Sequence, residues 1–322
     1  MTGPKFVKSF DPLTGVLEDV APGIRRIVAG NPGPYTFRGS GTYVIGRGDV
    51  AVIDPGPNDE RHIAMLVRQL TGETISHILV THTHPDHSPG CAPLRAHTNA
   101  PTFGFGPHPA RADEPDPKNS EEAGDTLFMP DKPTGHGDVI TGEGWSAEAL
   151  HTPGHISNHL CFRVAFTRHS STERVLFSGD HVMGWSTSVI SPPHGNLRAY
   201  LSSLELLLEC PDTRYWPTHG TTITDPHEFV RALIAHRHER TRQIIEQLER
   251  TAATIDELVS ALYMGLDPRL TKAAGRSVLA HLIELERQGS VTQHPGDAEP
   301  PTNAEYPDDA TSTPPTRYVL AP

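Results

Sequence analysis

Three imidazoles and a carboxylate crowd into the octapeptide Thr81-His82-Thr83-His84-Pro85-Asp86-His87-Ser88, directly after the apolar run Ile75-Ser76-His77-Ile78-Leu79-Val80. The run reads as a buried β-strand, so the polar loop starts at a strand's carboxyl end. Neutral imidazole and carboxylate are ligands of a Zn²⁺-type ion, and two histidines two positions apart in extended backbone can both turn toward one ion. The chain has 20 histidines, and most of them serve other ends. Those isolated in Pro-rich stretches, His97, His108, His136, His169 and His194, read as solvated loop residues. Such residues have no reason to fall as His-x-His-x-Asp-His behind a strand. The cluster predicts a metal-dependent hydrolase.

Three further candidates stand alone: His155 in His151-Thr152-Pro153-Gly154-His155, Asp180 in Phe177-Ser178-Gly179-Asp180-His181, and His219 in Pro217-Thr218-His219-Gly220. Each follows a strand-like run beside Gly or Pro, where a rigid sheet can hold ligands and leave room for substrate. Singly, Asp180 reads equally as a cap or turn residue and His219 as a turn histidine. In this order the four pieces resemble the metallo-β-lactamase superfamily, whose pattern is a His-x-His-x-Asp-His loop followed by separate His, Asp and His ligands.

The resemblance implies that His82, His84 and His155 hold one metal, that Asp86, His87 and His219 hold a second, and that Asp180 bridges both. Asp86 and Asp180 are then the catalytic carboxylates. Two adjacent cations lower the pKa of a shared water enough to give hydroxide near neutral pH and stabilise the oxyanion formed on attack. Two Zn²⁺ are expected, although Fe or Mn suits the same donors. No Ser or Cys nucleophile is required. A ligating imidazole donates its second ring N–H to a nearby acceptor, and Thr152, Asp54 or a backbone carbonyl can serve; His151 and His159 are candidates for supporting roles. Asp54 reads equally as the carboxylate that satisfies the turn at Pro55-Gly56.

With 322 residues and 36% hydrophobic content, the chain can build one large layered core and a smaller appended domain. Its first residues lack an apolar h-region and no apolar stretch reaches membrane-spanning length, so a cytoplasmic location without a membrane partner is expected. Cys91, Cys161 and Cys210 are widely spaced without Cys-x-x-Cys, which suits a reducing compartment. A net charge of −12 argues against broad electrostatic binding of nucleic acid. Bound divalent ions would make the site locally positive, which keeps anionic substrates open.

Strands are predicted at Ser40 to Gly46, Asp49 to Asp54 and Ile75 to Val80, with a helix capped by Asn58 running to about Leu70. Further strands fall near Trp145–Leu150, Leu160–Phe166, Arg174–Phe177 and Tyr215-Trp216, and helices at Leu197–Glu209 and Glu228–Arg250. Residues 104–136, dense in Pro, Gly, Asp and Glu, read as a surface insertion and a flap over the site. This α/β order matches the four-layer αβ/βα sandwich of the superfamily. From Thr251 the pattern changes: Thr254-Ile255-Asp256-Glu257 is a capping-box signal, Ala274–Gln288 is amphipathic, and Ser290–Gln293 can pair with Arg317–Leu320. The long acidic wing between them, 294–316, reads as disordered. The expected domains are a hydrolase domain, 1–250, and a winged-helix-like domain, 251–322.

That combination resembles the lactamase-beta-2-like group, through Asp86-His87-Ser88, His155-Ile156-Ser157-Asn158-His159, Ser178-Gly179-Asp180-His181-Val182-Met183-Gly184 and Ser277-Val278-Leu279-Ala280-His281-Leu282. Gly41 departs from it, standing where the family usually has Asn. The resemblance implies a substrate that is either single-stranded RNA or a small ester, thioester or lactone. Arg198, Tyr200 and Trp185 are candidate contacts for RNA. The alternative is a non-catalytic metal-binding protein that uses its winged helix for partner recognition. Its acidic wing disfavours double-stranded DNA, and the module is expected to pack on the sandwich or mediate a homodimer.

Overall fold

Successive side chains of β3 (Gly41–Arg47) and β4 (Asp49–Ile53) point to opposite faces, and both faces are buried. Tyr43, Ile45, Ala51 and Ile53 enter one apolar core, while Val44, Val50 and Val52 enter another. Strands apolar on both sides belong inside a layered fold. The computed structural model describes residues 3–108, 124–166, 174–294 and 316–321. They form two units, Met1–Ala235 and His236–Pro322.

In the first unit, β1 (Glu18–Ala21), β2 (Ile24–Val28), β3, β4, β5 (Thr74–Leu79), β6 (Thr102–Gly104) and β7 (Lys132–Pro133) form a seven-stranded sheet in chain order. A second sheet runs β12 (Arg214–Pro217), β11 (Arg174–Gly179), β10 (Leu160–Phe166), β9 (Trp145–His151) and β8 (Val139–Gly142). Between the sheets, Tyr43, Ile53 and Leu79 meet Trp145, Phe162, Phe177 and Trp216. On the outer face of the first sheet lie α1 (Glu60–Gln69) and α2 (Cys91–Thr98), which contribute Ile63, Leu66, Cys91 and Leu94 to the second core. The helix α3 (Leu197–Leu208) buries Tyr200, Leu204 and Leu207, and the Tyr215 hydroxyl of β12 donates to Leu207 O at 3.2 Å. Helix, sheet, sheet and helix reproduce the predicted αβ/βα sandwich.

Several details differ from expectation, among them β6 to β8, none of which is predicted. Asp59, not Asn58, caps α1: its carboxylate accepts from Arg61 N and His62 N, satisfying donors that a helix leaves free. No strand is predicted before residue 40, yet β1 and β2 extend the first sheet. Arg25 and Arg26 break the apolar pattern of Ile24–Val28, but Arg25 is buried because Glu73 accepts from both its terminal nitrogens. A bidentate carboxylate partner offsets burial of the charge, and its position 48 residues away hides it from local reading.

The second unit takes up α4 (Pro226–Arg250) from its midpoint and adds α5 (Ile255–Leu262), α6 (Thr271–Arg287) and the antiparallel pair β13 (Val291–His294) and β14 (Arg317–Leu320). The capping box between Thr254 and Glu257 is formed on both sides. Leu258, Val278, Leu282, Val291 and Tyr318 share its core. Most of the predicted wing, residues 295–315, lies outside the described residues. No described helix is long and apolar enough to cross a membrane.

Candidate metal centre

The site forms where four chain segments end on one side of the sandwich. β5 delivers His82, His84, Asp86 and His87; the turn after β9 delivers His155; β11 delivers Asp180; and β12 delivers His219. All seven predicted residues converge. Within each of three groups, His82–His84–His155, His82–His87–Asp180 and Asp86–His87–His219, the ligand atoms lie within 4.8 Å of one another.

The rings are aimed by their far nitrogens. His82 Nδ1 lies 3.0 Å from the Thr81 hydroxyl, which itself donates to Asp54, so the imidazole is the donor and Nε2 faces the cluster. The same logic holds for His87 Nδ1 on Asp54 Oδ2 (2.9 Å), His155 Nδ1 on Val189 O (2.6 Å) and His219 Nδ1 on Gly39 O (3.2 Å). Each turns Nε2 toward the cluster, the aim a cation needs. His84 instead presents Nδ1, 2.8 Å from His82 Nε2 and 2.9 Å from His155 Nε2. These separations approach the edge of a coordination tetrahedron, about 3.3 Å for bonds of about 2.0 Å.

Around the second group, His219 Nε2 lies 3.2 Å from Asp86 Oδ2 and 3.4 Å from Asp180 Oδ2, and His87 Nε2 lies 3.5 and 3.6 Å from the same oxygens. Among the described residues, His87 Nε2 and Asp180 Oδ1 are buried with no hydrogen-bond partner. A buried ring nitrogen and a buried carboxylate oxygen left unpaired are what a cation would satisfy, once His87 has given up its proton. The donor set therefore fits the ions that the sequence implies.

Electrostatics divide the cluster. Burial, reinforced by the neighbouring imidazoles, holds His82 and His84 well below the usual histidine range, and burial also lowers His155. These three stay neutral and free to ligate. Burial disfavours charge on His87 and His219 too, but Asp86 and Asp180 outweigh it and raise both, His219 to about 10. In return, against the opposing effect of burial, His219 and His87 hold Asp180 well below the ordinary carboxylate range. Opposite charges thus stabilise each other in the absence of an ion.

Supporting residues complete the site. Buried Asp54 accepts from Thr81 N, the Thr81 hydroxyl and His87, so the reading of it as a partner to the ligands holds. His159 accepts from Asp180 N at 3.3 Å through Nε2, while its Nδ1 faces the Thr152 hydroxyl. His151 stays apart, bonding Ser157 O and stacking on Phe105. Of the histidines read as solvated, His108 is buried against the Thr83 hydroxyl. Ser88 Oγ donates to Asp125, so both described ends of the 104–136 insertion meet the metal loop. Residues 109–123, where the flap is predicted, lie outside the described residues. Tyr200 is core, its hydroxyl on His181 O, and Arg198 is exposed.

The sequence reading missed Ser40, whose hydroxyl donates to Asp86 Oδ2 at 2.6 Å, and Asn31, whose amide donates to that hydroxyl. No local signal ties Ser40 to a ligand 46 positions away. At Gly41 a Cβ would lie 2.9 Å from Thr218 O and 3.3 Å from Arg26 Cδ, which explains glycine at this position.

Residues 35–219, which carry every one of these ligands, match the family described as the metallo-beta-lactamase superfamily. The chain belongs to the metallo-β-lactamase superfamily. It is a hydrolase of that superfamily, and residues 254–298 match its associated winged-helix domain. A lactamase-like protein adaB of Aspergillus niger is 30% identical over 274 residues, 80% of this chain and 78% of its own. An atrochrysone carboxyl ACP thioesterase of Aspergillus chevalieri is 30% identical over 270 residues, 80% of this chain and 79% of its own. The metallo-β-lactamase fold itself is shared with a β-lactamase domain protein from Burkholderia ambifaria, with a TM-score of 0.76 at 21% identity over 99% of this chain and 97% of that one.

Proposed function

We propose that the protein is a dinuclear zinc hydrolase of acyl thioesters. His82, His84 and His155 would hold one ion, Asp86, His87 and His219 the other, and Asp180 would be shared between them. The observation that carries the dinuclear reading is that three groups of converging donors include two buried atoms, His87 Nε2 and Asp180 Oδ1, with no hydrogen-bond partner among the described residues. When bound, the ions supply Lewis acidity and activate water for hydrolysis. The chain's own residues do the positioning. Thr81, Asp54, Val189 and Gly39 fix the rings through their far nitrogens, and His159 fixes the Asp180 backbone. Neutral His82, His84 and His155 offer lone pairs without releasing protons, whereas His87 and His219 must lose theirs to ligate.

The thioester reading draws on the thioesterase relative, which is 30% identical over 80% of this chain. A net charge of −12 works against RNA, whose binding depends on phosphate neutralisation. Residues 1–250 form the hydrolase domain in this reading and 251–322 an accessory module. Three free, buried cysteines suit a cytoplasmic setting.

The test is hydrolysis of a panel of acyl thioesters, lactones and an end-labelled unstructured RNA by zinc-loaded protein, with Asp180→Asn prepared alongside. Thioester cleavage that falls by orders of magnitude in folded Asp180→Asn is the expected result. RNA cleavage by the unaltered protein alone would replace the thioester assignment with a ribonuclease one. Near-normal activity in a folded Asp180→Asn would overturn the bridging role.

A further inference from the structure

The loop between β2 and β3 adopts a backbone conformation that its own sequence disfavours. Gly39 N–H donates to Thr36 O at 2.9 Å, closing the turn Thr36-Phe37-Arg38-Gly39. Phe37, at the first central position, has φ +56°, while Arg38 is not in the left-handed region. Positive φ at that position alone is the type II′ pattern, which selects glycine because a side chain is strained there. A bulky aromatic in this conformation is an outlier, and such outliers persist only where the surroundings hold them.

The surroundings hold Phe37 by its ring. It lies parallel to the Trp185 indole, with centroids 4.7 Å apart and planes 8° from each other, and Phe10 stacks on it at 6.3 Å. Lys8 Nζ sits 5.1 Å from the Trp185 ring and donates to its carbonyl at 2.6 Å. Trp185 rests on Gly220, where a Cβ would lie 3.2 Å from the tryptophan Cβ. The stack therefore ties the turn to the immediate neighbour of His219.

The same turn ends on two ligands of one metal group. Gly39 O accepts from His219 Nδ1, and Ser40 Oγ donates to Asp86 Oδ2. Asn31 bonds both the amide and the hydroxyl of Ser40, so the loop moves as one piece. By contrast, the far nitrogens of His82 and His155 are held by Thr81 and Val189, which lie outside this loop.

We propose that Phe37 is a positioning residue for the Asp86–His87–His219 half of the metal centre. Its clamped ring keeps a strained turn in place, and the turn aims His219 and Asp86. The inference rests on the dinuclear reading above.

The test measures zinc per chain, by elemental analysis after dialysis against a weak chelator, for the unaltered protein, Phe37→Tyr, Phe37→Ala, Phe37→Leu and Phe37→Gly, each checked by thermal melting. The unaltered protein and Phe37→Tyr should keep two ions. Phe37→Ala and Phe37→Leu should keep one and bind the second at least about tenfold more weakly, the size of effect seen when partners of metal ligands are lost. Their kcat should fall while KM stays within about twofold. Phe37→Gly should retain more of the second ion than Phe37→Ala, because glycine favours the turn without a clamp. If Phe37→Ala does not fold, Phe37→Leu decides. A folded Phe37→Ala or Phe37→Leu that retains both ions as the unaltered protein does would overturn the proposal. So would a raised KM with unchanged zinc retention, which would make Phe37 a substrate contact. Fewer than two ions in the unaltered protein would defeat the dinuclear reading itself, an outcome read without any variant.

Discussion

Asp54 Oδ2 accepts from His87 Nδ1 at 2.9 Å while the same carboxylate accepts from Thr81, one residue before His82. One buried side chain thus orients ligands of both metal groups. Asp54 also has φ +49°, a conformation that Asn tolerates as well as Asp. Asp54→Asn should keep the backbone but remove the charged acceptor at Oδ2. Zinc affinity should fall by about 10- to 100-fold, measured by competition with a chromophoric chelator. Unchanged affinity in a folded variant would remove Asp54 from the metal centre.

His159 is neutral and buried, its pKa held well below normal by burial and by His181. It accepts from Asp180 N and faces the Thr152 hydroxyl. Replacing it with Phe keeps the volume and leaves the buried Asp180 N–H without an acceptor. Such an orphan costs about 1–3 kcal/mol, readable in urea unfolding of metal-free protein. A loss below about 0.5 kcal/mol would show that the bond is dispensable.

The metal-free protein should lose stability as pH rises. His219 has a folded pKa of about 10 against an ordinary 6.5, because Asp180 and Asp86 outweigh its burial, and His87 shifts the same way. A raised folded pKa stabilises fully below pH 6.5, and the contribution disappears as pH climbs to about 10. Zinc displaces these protons, so its retention strengthens over the same range. Melting of chelator-treated protein should therefore move down between pH 7 and 10 while the gap to the zinc-loaded form widens. A flat or narrowing gap would contradict this linkage.

Thr254→Ala removes one side of the capping box of α5. Loss of such a cap costs about 1 kcal/mol, or roughly a fivefold shift in local opening. Amide exchange in Ile255–Leu262 should accelerate by that factor, while exchange in β9 and β10 stays as it was. Equal acceleration in both regions would indicate a global effect instead.

What the residues announced by themselves was chemistry of short range. His82, His84, Asp86 and His87 were legible because four donors in six positions behind a strand have few other uses. The apolar runs of β3 to β5 and the box at Thr254 were legible because strand burial and capping are patterns of a few residues. Arg25, by contrast, interrupts the apolar pattern of β2, and Glu73, which makes it a buried strand residue, lies 48 positions away. His108 looked solvated until Thr83 met it.

The choice of candidate ligands was thus a property of the sequence, and their aim a property of the fold. Asp54, Gly39, Ser40 and Val189 are 27 to 180 positions from the groups they hold or touch them only through a carbonyl that every residue has. Phe37 gives no local sign of a left-handed backbone, since the stack that helps to hold it is made with Phe10 and Trp185, far away along the chain. Contacts of this kind exist only once two sheets have packed and brought distant strand ends to one side. A hydrogen bond or a stacked ring acts over a few ångströms of space, at any separation along the chain.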